Sequence, residues 1–319
     1  MFHHQSGDIE LKMFSFGYSL ELGNGLCWTF YFSPDLRIWG QKFMSILGLP
    51  ASTAPQGWGI YLCSEREARS PEIIGFFNEA ENACKNQLDH FTIRGVNIFY
   101  NSDTHDSLSI LPLVTVKRDE HEIIHMMIIL FIIYYQLLQH GGLPLHGALL
   151  SHPGYGGIGI LAPGGTGKST CARRIPAPWS SYCDDLFWVV SDGGSQYFAH
   201  PFPTWSEYLD ENKRQPGLKR WNVRNYTHLK DLYFLQKAED DDSFTLNLPD
   251  ASLWIFESSM QTCLWLLDDL PKEEQRQIKI RMFENSCILA RNIPARILKA
   301  TLNGQFWKII EKNWEISKD

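Results

Sequence analysis

Lysine, serine, aspartate and histidine fall close together in the middle of the 319-residue chain, in an order that could bind a phosphate group and move it. Lys168 and Ser169 close the glycine-rich run Ala162-Pro163-Gly164-Gly165-Thr166-Gly167, and Thr170 follows them. The run matches the phosphate-binding loop pattern except at its first position, where Ala162 replaces glycine. Glycines let backbone N–H groups converge on phosphate oxygens with no side chain in the way. A helix starting at Ser169 points its positive end at the same anion. Lys168 supplies mobile positive charge to the outer phosphates, and the Ser169 hydroxyl is placed to hold Mg²⁺. Such a metal needs a carboxylate as well. Asp184 and Asp185 stand 16 and 17 residues beyond Lys168, at the head of the next apolar run. His146 stands 22 residues before Lys168, inside Leu143-Pro-Leu-His-Gly-Ala-Leu-Leu150. A histidine on an apolar strand serves as a core residue or a functional one, and the sequence leaves both open.

The elements needed to position these groups are legible around them. Ile158 to Leu161 is a short apolar run with the look of a buried strand. Ser169 to Arg174 predicts a helix start, and Leu186 to Val190 a second buried strand. Pro153, Gly154, Gly156 and Gly157 make a turn into the first of these, and Ser191-Asp-Gly-Gly194 predicts a hairpin after the second. A helix is expected over 119–140, capped by Asp119 and ended by Gly141-Gly142. The prolines of His200-Pro-Phe-Pro-Thr-Trp-Ser-Glu207 predict a rigid loop, suited to lining a site or to plain packing.

With those residues in view, the chain resembles the HPr kinase/phosphorylase family: His-Gly, a strand, a phosphate-binding loop and an early Asp-Asp pair, in that order. The wording LPLHGALL, GGTGKSTCARR, CDDLFWVV and HPFPTWS is similar to a divergent branch, the SynChlorMet cassette C proteins and the lasso-peptide kinases. The resemblance covers roughly residues 120–310 and is strongest over 143–190. It implies an α/β fold with a P-loop core like that of phosphoenolpyruvate carboxykinase. It implies transfer of the ATP γ-phosphoryl group to a serine or threonine hydroxyl of a peptide or small protein. The acceptor expected from this branch is a ribosomally made peptide precursor, with other peptide-modifying enzymes as partners. The implied nucleotide contacts are Pro163, Gly164, Gly165, Thr166, Gly167, Lys168, Ser169 and Thr170, with ATP and Mg²⁺ as cofactors. Ser169 and Asp185 then hold the metal, Asp184 takes the proton from the attacking hydroxyl, and His146 orients or tunes that aspartate. The resemblance gives both tasks to the aspartate pair and leaves open which residue takes which. Thr170 stands where the HPr enzymes carry glutamate after Gly-Lys-Ser, and their later glutamate motif and C-terminal signature have no match. HPr itself and the reverse phosphorylase reaction are therefore not expected.

The rest of the chain bounds these expectations. Apolar residues make up 44% and charged residues 20%, the balance of a globular protein. A net charge of −7 speaks against nucleic acid as partner. The 7 cysteines include no CxxC pair, which fits a reducing cytoplasm better than a disulfide framework. The first residues lack a signal-peptide core, and Met126 to Tyr135 is too short to span a bilayer, so no membrane partner is expected. Residues 1–118 carry strand signals: a hairpin around Gly23-Asn24-Gly25, then 58–63, 96–100 and 111–116, with a helix inside 71–91. They predict a β-rich domain for substrate presentation or self-association, ahead of a kinase domain at 119–319.

Two further patterns compete with this account. His121-Glu122-Ile-Ile-His125 matches the zinc-peptidase motif, and i, i+4 spacing puts both histidines on one helix face. A catalytic zinc needs a third ligand, and Ile128 and Phe131 stand where the extended motif has glycine and histidine. Lys213, Arg214, Lys219, Arg220, Arg224 and Lys230 form either a solvated face or a second site for phosphate or an acidic peptide. A nucleotide-gated switch without phosphoryl transfer is the remaining alternative. Further on, the sequence predicts strands at 232–235 and 294–300 and helices at 269–289 and 306–314.

Overall fold

A computed structural model describes residues 14, 17–52, 56–71, 73–75, 88–112, 119–205 and 221–316. The fold is mixed α/β and divides into two compact units, one of residues 1–136, 205–224 and 265–272, the other of 137–204, 225–264 and 273–319.

The first unit is built on one mixed sheet. Its strands are β1 (Gly17–Glu21), β2 (Cys27–Phe32), β3 (Ala51–Ser52), β4 (Trp58–Ser64), β5 (Asp89–Ile93), β6 (Val96–Tyr100) and β7 (Ser107–Leu111), in the spatial order β3-β1-β2-β4-β7-β6-β5. The β1–β2 hairpin turns where the glycines predict, with Gly25 at φ 84°. The last strand differs from expectation: it starts at Ser107 and ends at Leu111 before Pro112, which has no N–H for a ladder. Residues 113–116 and most of the helix expected within 71–91 lie outside the described residues, and residues 89–91 belong to β5. An unforeseen helix, α1 (Arg37–Leu47), ends on Gly48 in the left-handed region. Helix α2 (Asp119–Gln139) packs Phe131 and Tyr135 on Phe91 and Tyr100. Gln136 ties it down, accepting from Trp28 Nε1 at 2.6 Å and donating to the His105 carbonyl. By length and composition His121–Gln139 could cross a membrane, more than the ten-residue run suggested, but 72% of its most apolar window is buried inside the protein.

The second unit holds β8 (Leu143–His152), β9 (Gly156–Leu161), β10 (Ser180–Cys183), β11 (Leu186–Ser191), β12 (Tyr197–Phe202), β13 (Thr227–Lys237), β14 (Asp242–Thr245) and β15 (Ala295–Ala300). β9 lies between β8, antiparallel to it, and β13, parallel to it. β15 continues the parallel set beyond β13. The pairings β8–β11, β11–β12, β12–β13, β13–β9 and β9–β8 return on themselves, so these five strands close a ring.

The helices of this unit are α3 (Lys168–Arg174), α4 (Leu248–Leu267), α5 (Lys272–Asn292) and α6 (Phe306–Ile316); α4 was not foreseen. One sheet face presents Ala148, Leu150, Ile158, Ile160, Tyr233 and Leu235, every second residue of three strands. Cys171 and Ala172 of α3 cover it, together with Phe306, Ile310 and Trp314 of α6, spaced i, i+4, i+8 along one helical stripe. On the other face Gly159 admits no side chain: a Cβ there would lie 2.6 Å from Phe187 and 2.7 Å from Leu232. The predicted turn after α2 is present, with Gly141 at φ 75°. Asn285 of α5 donates to the carbonyls of Leu138 and Gly142 there, satisfying acceptors a helix end leaves open.

Candidate functional site

β9 ends at Leu161, and the chain turns through 162–167 into α3, as the sequence predicts. Two glycines of the turn are needed for backbone reasons: Gly165 has φ 74° and Gly167 φ 119°, where L side chains are strained. A Cβ on Gly164 or Gly165 would meet no heavy atom within 4 Å, so the mouth of the turn is open. Pro163, Gly164 and Gly165 are exposed; Thr166, Gly167, Ser169 and Thr170 are half-buried. The Cys171 N–H bonds back to the Gly167 carbonyl at 2.9 Å, and the N–H groups of Lys168, Ser169 and Thr170 come ahead of it, where a helix start lacks i−4 partners.

Lys168 is the buried member of the turn, 6% exposed. Its ammonium donates to the Ala162 carbonyl at 2.7 Å and the Pro163 carbonyl at 3.2 Å. Burial lowers its pKa, while the Asp185 and Asp184 carboxylates pull it back up. A second lysine, Lys237 at the end of β13, donates to the Gly165 carbonyl at 3.2 Å.

The aspartates sit at a break in what is otherwise one strand. β10 and β11 both run antiparallel to β8: Cys183 pairs Leu149, and Leu186 pairs His146. Between them Asp184 and Asp185 leave the ladder, though the Asp185 carbonyl still accepts the Gly147 N–H at 2.9 Å. In an unbroken strand Asp185 would share the face of Gly147, opposite to that of His146. The break lets its carboxylate turn to the histidine, with His146 Nε2 at 3.3 Å from Asp185 Oδ1. The histidine therefore contacts the second aspartate, not the first. Asp184 Oδ1 instead accepts from the buried Thr204 hydroxyl at 2.9 Å. Gly147 owes its identity to packing: a Cβ there would lie 2.5 Å from Leu161 Cδ2 and 2.8 Å from the Ile160 carbonyl.

Lys168, Asp184, Asp185 and His146 are thus brought together, with Ser169 and Thr170 next to Lys168 on the first turn of α3. Sequence reasoning missed Gln261, whose Oε1 lies 2.6 Å from His146 Nδ1, and Ser258, which bonds the His146 backbone. It also missed Lys237. Thr204 lies in the proline-rich stretch already singled out, its only signal; that stretch is not all loop, since His200 to Phe202 are the end of β12, where Pro201 pairs Phe187.

Among the described residues no three His, Cys, Asp or Glu side chains are grouped to hold a metal ion. Mg²⁺ does not ask for such a cage: one or two carboxylates and substrate phosphates suffice, and Ser169 and Asp185 offer the oxygen donors it takes. The competing pair is differently employed. His125 is buried and its pKa lowered, chiefly by burial and then by His121, and Glu122 pairs with Lys42 at 2.5 Å. Of the basic run, Lys213, Arg214, Lys219 and Arg220 lie outside the described residues.

The family model of SynChlorMet cassette protein ScmC matches residues 111–315, more than half of the chain, from the end of β7 into the last turn of α6. No curated protein matches the chain.

Proposed function

We propose, for a chain that belongs to the SynChlorMet cassette protein ScmC family, an ATP-dependent kinase activity toward a serine or threonine hydroxyl of a cassette-encoded peptide. The observation that carries this reading is Lys168, a buried cation at the mouth of an open glycine turn, with the carboxylates at a strand break near enough to act on its charge. A buried ammonium is costly without an anion, and its two carbonyl partners are replaceable by phosphate oxygens. In this reading the turn is a P-loop of HPr-kinase type, the parallel strands β9, β13 and β15 belong to its core, and residues 1–118 present the acceptor or self-associate.

Each side chain then has a task. Lys168 and the N–H groups of the turn and of Ser169 and Thr170 neutralise charge on the transferring phosphoryl group. Pro163, Gly164, Gly165, Thr166 and Gly167 form the cradle. Bound Mg²⁺ would offset the remaining phosphate charge, held by the Ser169 hydroxyl and the Asp185 carboxylate. His146 steadies Asp185. Asp184, with Oδ1 held by Thr204, keeps Oδ2 for the acceptor hydroxyl and takes its proton as the new P–O bond forms and the bond from the γ-phosphorus to the bridging oxygen breaks, releasing ADP.

The test is phosphate transfer from γ-labelled ATP to peptides encoded beside the gene, with Mg²⁺ present. Labelled peptide with wild-type protein and none with Lys168→Ala is the expected result. ATP binding without label on any such peptide would replace transfer by a nucleotide-gated switch.

A further inference from the structure

One turn of α4 grips His146 at three points. The Ser258 hydroxyl oxygen accepts the His146 backbone N–H at 3.1 Å, and the same hydroxyl donates to the His146 carbonyl at 3.2 Å. Three residues on, and so on the same helix face, Gln261 reaches the ring with Oε1 at 2.6 Å from Nδ1. The other ring nitrogen meets Asp185 Oδ1 at 3.3 Å. Both partner atoms are oxygen acceptors, so the ring bonds both only with a hydrogen on each nitrogen, Nδ1–H donating to Gln261 and Nε2–H to Asp185. Nothing about cores requires this. Gln261 is exposed, the ring is 21% and the carboxylate 35% exposed, and an exposed glutamine loses side-chain freedom in holding one rotamer.

We infer that Gln261 is a positioning residue: through His146 it fixes the rotamer of Asp185, and so the direction in which that carboxylate presents its second oxygen. The inference rests on the kinase reading for the use made of Asp185. Its physical basis is that carboxylates holding a metal are themselves hydrogen-bonded, and that losing such outer partners costs about 10–100-fold in metal affinity. Asp185 makes a sharp case, because it lies where the pairing on β8 is interrupted between β10 and β11, and the strand does not set its direction.

The experiment measures Mn²⁺ binding by electron paramagnetic resonance, with a non-hydrolysable ATP analogue bound to the full-length protein. Gln261→Leu should weaken Mn²⁺ by about 10-fold or more. Affinity for the metal-free analogue should stay at the wild-type level. Gln261→Glu, which keeps an oxygen toward Nδ1, should recover most of the loss. In a His146→Gln background, Gln261→Leu should then have no further effect, since it acts only through the ring. Wild-type Mn²⁺ affinity in Gln261→Leu, or additive losses in the double variant, overturns the positioning role while leaving the kinase reading intact. Absence of nucleotide and Mn²⁺ binding in the wild-type protein overturns both.

Discussion

Lys168→Met separates the cost of the buried cation from its use. The ammonium has two carbonyl partners, at 2.7 Å and 3.2 Å, and the second belongs to exposed Pro163, where water can take its place. Losing them costs about 1 kcal/mol. Removing a cation whose burial lowers its pKa also removes its desolvation cost, which opposes that loss, so the folded state should change by no more than about 1 kcal/mol. Ligand binding should change much more. A charge-assisted hydrogen bond contributes about 1.5–3 kcal/mol, which is about 10- to 100-fold in the Kd for ATP. The pH dependence carries the same logic. The folded-state pKa of Lys168 is lowered, so the unfolded chain binds more protons in the window between that value and about 10.4, the free lysine value. Wild-type stability should therefore gain from this group as pH rises through the window, and the methionine variant should lack that gain. Titration calorimetry with ATP and scanning calorimetry at neutral and alkaline pH measure both. Unchanged ATP affinity in a folded variant would refute the phosphate assignment, and identical pH profiles would refute the account of the buried ammonium.

Asp185→Asn should raise the Mg²⁺ requirement, with partial recovery at high Mg²⁺ or with Mn²⁺, whereas Asp184→Asn should bind metal and nucleotide normally and lose about 100-fold or more in the transfer step. Metal titration of transfer rates compares the two, and rescue of the Asp184 variant instead would exchange their roles. Gly147→Ala should destabilise the protein by about 1–3 kcal/mol, because its Cβ would press on Leu161 and the Ile160 carbonyl, and denaturant unfolding will register the loss. His125 has a lowered folded-state pKa, so it favours folding above about pH 6.5, and that contribution fades as pH falls through the folded value. His125→Phe should flatten this part of the acid limb of a Tm-against-pH curve; an unaltered limb would mean the group titrates alike in both states.

The glycine turn, β9, α3 and β11 were legible because each has a local cause: positive φ at Gly165 and Gly167, and apolar runs bounded by turn residues. Helix α4 was not. Its apolar residues lie on several sides, from buried Ile255 and Leu266 to exposed Leu253 and Leu264, so no single stripe marks it as helical. Gln261 and Ser258 were hidden with it, and their meaning depends on a contact more than a hundred residues away in sequence. β10 was hidden because Ser180, Ser181 and Tyr182 are not buried, and strand pairing with β8 is what makes them a strand.

The choice between the aspartates shows what kind of information was missing. Neighbouring residues of a strand point to opposite faces, so a rule that names "the aspartate beside the histidine" from order alone is wrong by a half-turn as readily as right. Pairing of Leu186 with His146 sets Asp185 opposite Gly147, and the break after Cys183 then decides where its carboxylate goes. Gly147 is part of the same arrangement. Any side chain there would collide with Leu161 and with the backbone of β9, pushing β8 away from the strand that leads into the glycine turn. The His-Gly pair thus divides its labour between two residues: the histidine meets the carboxylate, and the glycine lets the strands lie close enough for it to do so.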